Sequence, residues 1–162
     1  MKISKKEDYA VLLMCALSQN ERPWVSLDAV AKRYHLPLPF LQQIARNLKR
    51  AGLLNSREGA AGGYALTREP KDIALADVLE AMSGKLKLTQ CTTNIACPIE
   101  AHCVTRAPWQ KLHSVVQNVF RGISLADLKN SKLQPSSLRE PTAVGSWQSR
   151  FHGIASSLDS SQ

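Results

Sequence analysis

No apolar run in this 162-residue chain is long enough to span a bilayer; the run Ala10 to Leu17 is far shorter than the roughly 20 residues a crossing helix needs. The first nine residues carry lysines but no apolar stretch of the signal-peptide kind follows, so export is not expected and a cytoplasmic location is. Thiols there stay reduced, so the four cysteines are read as ligands, reactive groups or core filler before disulfides. No Cys-x-x-Cys pair occurs, which counts against both a zinc knuckle and a dithiol redox enzyme. The glycine-rich stretch Gly59 to Gly63 lacks the Gly-Lys-Ser/Thr ending of a phosphate-binding loop, and no paired acid-base set is visible. An enzyme is therefore not expected. No internal repeat is present either.

Acidic residues are missing where basic ones gather. Between Ala29 and Arg57 lie Lys32, Arg33, Arg46, Lys49, Arg50 and Arg57 with no Asp or Glu. Residues 1 to 71 hold twelve Lys and Arg against six acids, whereas residues 72 to 162 hold nine against seven, so most of the net charge of +8 is N-terminal. Such a stretch presents positive potential to a polyanion. A solvated helix face or an anionic membrane surface are the alternatives, the second lacking a basic amphipathic anchor. With 44% hydrophobic and 21% charged residues the chain is not wholly disordered, and its length suits one domain with an appended arm.

Local signals divide the N-terminal half. Ser4 and Glu7 have capping-box spacing before a helix carrying Tyr9, Leu12, Leu13, Ala16 and Leu17, which runs to about Ser18. Ser26 caps a second helix through Tyr34, and His35 to Pro39 forms a turn whose last proline suits the start of a third. Leu41, Ile44, Ala45 and Leu48 give that helix a buried side, and Gly52 ends it. Its other side shows Gln42, Gln43, Arg46, Lys49 and Arg50, the pattern of a helix-turn-helix recognition helix. Leu53 to Ser56 and Tyr64 to Thr67, joined by the glycine-rich loop, read as a hairpin or wing. The expected fold is mainly α with a small β-hairpin wing, a winged helix-turn-helix.

A fourth helix is expected from Ile73 to Met82, stopped near Gly84. Trp109, Leu112, Val115, Val116, Val119, Phe120 and Ile123 then mark a long amphipathic helix over about 107 to 121. A second copy of itself is its simplest partner, making a homodimer; folding back on its own domain is the alternative. The expected division is 1–84 for DNA binding, 85–106 for a cysteine loop, 107–130 for the dimerisation helix and a short following one, and 131–162 for a disordered tail.

Cys91, Cys97 and Cys103, with five residues between each and the next in a segment without period, look like ligands. An iron-sulfur cluster is favoured over zinc, with metal-free redox thiols also open. Three cysteines leave one coordination place, for which His102 and Glu100 are nearby candidates; Cys15 reads as a small core residue.

Taken together, Asp8-Tyr9-Ala10, Pro39-Phe40-Leu41-Gln42-Gln43-Ile44, Leu48 with Ala51-Gly52-Leu53-Leu54, Arg57 with Gly59 to Tyr64, Leu75-Ala76-Asp77-Val78 and the three cysteines resemble the Rrf family of bacterial winged-helix transcription regulators, of the iron-sulfur IscR/NsrR type, over about residues 1 to 130. The resemblance implies a dimer built on the long helix and a cluster bound between its loop and the DNA-binding unit. In nitric-oxide-sensing relatives an aspartate of the Asp-Tyr-Ala motif completes a 4Fe-4S cluster across the dimer, which makes Asp8 the first choice for the fourth ligand. Cluster-homeostasis relatives place a histidine three residues beyond the last cysteine; Arg106 stands there, so a 2Fe-2S cluster with that ligand set is disfavoured. A first-turn acid complementing the helix dipole is the plainer reading of Asp8.

The resulting expectation is a regulator, acting as a repressor, whose binding to a palindromic operator in double-stranded DNA is controlled by a cluster sensing nitric oxide, redox state or iron-sulfur status. Gln42, Gln43 and Arg46 would face base edges, Lys49 or Arg50 phosphates, and Arg57 the adjacent minor groove, with Pro39 and Gly62 in the same surface. A winged-helix regulator using zinc or free thiols is the alternative.

Overall fold

A computed structural model describes residues 3–20, 24–59, 62–92 and 95–129; the expected disordered tail lies outside the described residues. The elements follow in the order α1 (Lys5–Ser18), α2 (Leu27–Tyr34), α3 (Leu38–Arg50), β1 (Leu54–Arg57), β2 (Gly63–Leu66), α4 (Leu75–Ser83), α5 (Arg106–Gly122) and α6 (Leu125–Lys129), with single 3-10 turns at Pro70–Asp72, Gln90–Thr92 and Glu100–His102.

Local chemistry sets each helix end. Ser4 Oγ accepts the Glu7 N–H at 3.3 Å while Glu7 Oε2 accepts the Ser4 N–H at 2.6 Å, closing the capping box of α1. Ser26 Oγ accepts the Ala29 N–H at 3.1 Å to start α2. His35 ends α2 in the left-handed region, φ 52°, a place glycine usually takes. Helix α3 begins one residue earlier than the proline signal suggests, because Pro37 precedes the first helical residue and Pro39 occupies the second position, where its missing N–H is still harmless. At its far end the Gly52 N–H donates to the Lys49 carbonyl at 2.9 Å and the Leu53 N–H to the Leu48 carbonyl at 3.0 Å. Those two bonds form a Schellman motif, and Gly52 at φ 74° supplies its left-handed residue.

Packing joins α1 to α3, α4 and α6 around one core, with Leu13, Met14, Leu41, Ile44, Leu48, Leu54, Ile73, Val78 and Leu125 fully buried. The buried side of α1 is Ala10, Leu13, Met14, Ala16 and Leu17; Tyr9 and Leu12 are only half-buried, so the buried face is turned slightly from the stripe expected from sequence. Helix α4 begins at Leu75 rather than at Ile73. Ile73 is buried, but its carbonyl accepts the Leu125 N–H at 3.0 Å and the Leu75 N–H donates to the Ile123 carbonyl at 2.8 Å, which holds this segment extended against Ser124. The small box between Ser124 and Asp127 then starts α6, and the Ser124 hydroxyl and N–H hold the Asp127 carboxyl below its ordinary range.

The wing is the antiparallel pair β1-β2 in the register Leu54 with Leu66 and Arg57 with Gly63. A backbone bridge between Val25 and Tyr64, with N–H to carbonyl distances of 3.0 and 2.9 Å, ties β2 to the entrance of α2. Gly63 permits it: φ is 148°, and a Cβ there would come within 2.5 Å of the Val25 carbonyl oxygen. We expect Gly63→Ala to break this bridge and cost about 2 kcal/mol of stability, read as a lowered thermal midpoint, because strain and backbone collision act together. An unchanged midpoint would show that Val25 and Tyr64 do not fasten the wing.

Candidate nucleic-acid interface and cysteine pocket

Helix α3 buries Leu41, Ile44, Ala45 and Leu48 and exposes Pro39, Gln42, Gln43, Arg46, Lys49 and Arg50. The 3.6-residue period alone produces this division. A groove separates the recognition helix from the wing, and Ser26, Leu38, Gln42, Arg46, Gly62 and Tyr64 are among its walls. Gln42, Arg46 and Gly62, chosen from sequence as DNA-facing, thus share one concavity. Arg57 is exposed at the end of β1. Lys49 Nζ donates to Ser56 Oγ at 2.6 Å, linking the helix to β1. The Lys32 ammonium pairs at 2.7 Å with Asp28, which also lines this groove.

The cysteine segment folds into two 3-10 turns that bring Cys91, Cys97 and Cys103 to the wall of one small pocket, with Ile95, Glu100 and Arg106. Glu100 and Arg106 form an ion pair across it. Of the nearby candidates for a fourth ligand, Glu100 is therefore in the pocket and engaged, whereas exposed His102 is not among its walls. Asp8 is exposed on α1 and does not line the pocket of its own chain. Among the described residues, no three His, Cys, Asp or Glu side chains are grouped as a ready single-ion site.

The thiols differ electrostatically. The Thr105 hydroxyl lies 3.4 Å from Cys103 Sγ, and with the Thr105 and Arg106 N–H groups and the Arg106 charge it draws the Cys103 thiol below its ordinary range. Burial pushes the Cys15 thiol up, as suits the half-buried core residue it is. Glu7 is also shifted: partial burial raises its carboxyl, but hydrogen bonds from Ser83 and Ser4 outweigh that and hold it low.

Helix α5 has no buried residue, although its apolar stripe includes Trp109, 41% exposed, and Leu112, 45% exposed. Its inner side meets α4 and the Gln90–Thr92 turn. No helix among the described residues is long and apolar enough to cross a membrane.

A basic helix-turn-helix backed by a hairpin wing defines a winged-helix DNA-binding protein. Comparison with known proteins narrows the class. The chain belongs to the Rrf2 family, described as iron-dependent transcriptional regulators, whose profile matches residues 3–131. The HTH-type transcriptional regulator IscR of Aliivibrio salmonicida is 35% identical over 130 residues, covering 79% of this chain and 77% of that protein. Among solved structures, T. potens IscR superposes with a TM-score of 0.64 at 36% identity, covering 81% of this chain and 88% of that one. CymR (YrzC), the global cysteine regulator of B. subtilis, gives a TM-score of 0.68 at 28% identity, covering 81% and 98%. The protein is a DNA-binding transcriptional regulator and not an enzyme.

Proposed function

We propose that this regulator is a homodimeric repressor whose grip on a palindromic operator is governed by an iron-sulfur cluster, 4Fe-4S in preference to 2Fe-2S. One observation carries the reading: three cysteines distant from the recognition helix in sequence line one pocket, while α3, which carries no acidic residue, exposes Arg46, Lys49 and Arg50 on the DNA-binding unit. The donor set suits the group. Thiolates are the customary iron-sulfur ligands, and Thr105 and Arg106 favour the thiolate form of Cys103. Cys91, Cys97 and Cys103 would hold the cluster, with Asp8 of the second copy as fourth ligand. When bound, the cluster supplies a centre that nitric oxide, oxidants or iron shortage can destroy.

The chain's own residues turn that into a DNA signal. The cysteine segment (85–106) leaves the end of α4 and enters α5, so its ordering bears on both the DNA-binding unit (1–84) and the dimerisation helix. Pairing two copies along α5 would cover Trp109 and Leu112, apolar area that one protomer leaves in water. Each copy would place Gln42, Gln43 and Arg46 at base edges and Lys49 or Arg50 at phosphates, with Arg57 in the minor groove beside them and Pro39 and Gly62 close to the backbone. Two such units across a two-fold axis read half-sites about one helical turn apart.

Gel-shift titration of one operator duplex with anaerobic holo protein and with the same protein stripped of iron tests the control. Different affinities are expected, since a switch acts only through differential affinity; equal affinities remove the sensor and leave the DNA reader. A second reading, reversible thiol oxidation, is favoured by the lowered Cys103 thiol. It predicts anaerobic protein free of iron and sulfide, with DNA binding that responds to peroxide and to reductant.

A further inference from the structure

We infer that Glu7 is a positioning residue, a latch fastening the α1 turn that carries Asp8 to the stem of the cysteine segment; the inference rests on the cluster reading above. Both oxygens of its carboxylate are engaged. Oε2 accepts the Ser4 N–H at 2.6 Å, and Oε1 accepts the hydroxyl of Ser83 at 2.5 Å, across 76 positions of sequence. Ser83 is the last residue of α4. Gly84 follows at φ 77°, its N–H returning to the Glu80 carbonyl at 2.9 Å, and from there the chain departs toward Cys91.

The latch spans a weakly filled place. Glu7 and Ser83 line a cavity of about 260 Å³ between α1, α4 and α5, with Ile3, Leu79 and Phe120 also in its wall. At this edge of the packed α1–α4 interface, a charge-assisted hydrogen bond adds a directional tie that the cavity's own side chains do not supply. Asp8 is the next residue in the same helical turn, and its N–H donates to the Ser4 carbonyl at 3.0 Å. A shift of the cysteine-segment stem therefore moves Ser83, Glu7 and the Asp8 backbone as one unit. In a dimer where Asp8 serves the second copy's cluster, each latch ties a protomer's own cysteine segment to the ligand it lends.

Ser83→Ala separates this role from helix capping, because it leaves the bond between Ser4 and Glu7 intact. Under a chelator in air, the visible absorption of holo Ser83→Ala should decay about fivefold faster than wild type, the worth of one hydrogen bond. Ser83→Thr, which keeps the hydroxyl, should restore the wild-type rate. The double variant Ser83→Ala/Asp8→Ala should decay no faster than Asp8→Ala alone, since both changes remove one function. Decay of Ser83→Ala at the wild-type rate, or additive effects in the double variant, overturns the proposal. Amide spectra of the iron-free chain supply a second measurement that needs no cluster: Ser83→Ala should shift the Glu7 and Asp8 amide resonances, and unmoved resonances overturn the latch. Wild-type protein without iron or sulfide sinks the cluster reading instead, while those spectra still decide the latch.

Discussion

Arg46→Ala should weaken operator binding by about 1–3 kcal/mol and flatten its preference for operator over scrambled duplex. Arg46 is exposed, stands one turn beyond Gln42 on α3, and shares with it the groove that the wing closes. A guanidinium there has a bidentate acceptor pair in guanine, so its removal takes away discrimination as well as charge. The neighbouring cation should behave differently. Lys49 is bonded to Ser56 of β1, so Lys49→Ala should lower affinity for all sequences alike and reduce the salt slope by about one unit. Fluorescence anisotropy with both duplexes at several salt concentrations measures both effects. Unchanged affinity and unchanged preference in Arg46→Ala would mean that another surface reads the DNA.

Cys97→Ala should abolish the brown colour of anaerobically purified protein and release its iron and sulfide together. The residue lines the same pocket as Cys91 and Cys103, and two cysteines with an aspartate do not complete the coordination of a cluster. Cys15→Ala is the internal control. That thiol packs against the core at a distance in sequence from the pocket, and burial favours its neutral form, so its loss should cost some stability and no iron. Metal and sulfide analysis beside the visible spectrum decides the matter, and a colourless wild type carrying zinc would favour the other metal considered from the sequence.

The helices were legible because their signals are local. The capping box at Ser4 and Glu7, the Ser26 cap, the Gly52 stop and the 41-44-45-48 stripe are each written within a few consecutive residues, and each is found in place. What escaped are pairings between distant segments. The Val25–Tyr64 bridge, the Glu7–Ser83 bond and the Ile73–Leu125 pairing leave no mark in either partner's neighbourhood. Gly63 was read as the end of the loop, whereas it opens β2 beside Val25. Ile73 shows how such a pairing misleads: its burial matches a helical stripe, yet a backbone partner holds it extended. The cysteines showed their type and spacing in the sequence, but the pairing of Glu100 with Arg106 in their midst depends on how the two 3-10 turns fold.

The wing is fastened twice, to the recognition helix by Lys49 to Ser56 and to the entrance of α2 by the bridge between Tyr64 of β2 and Val25. The gap between these two probes is therefore set before any duplex arrives. Adaptation then falls to the nucleic acid, whose cost of narrowing a groove or opening a flexible step varies with base composition. Base pairs that no side chain touches should consequently count toward operator choice, and a stiff spacer should handicap an otherwise ideal pair of half-sites.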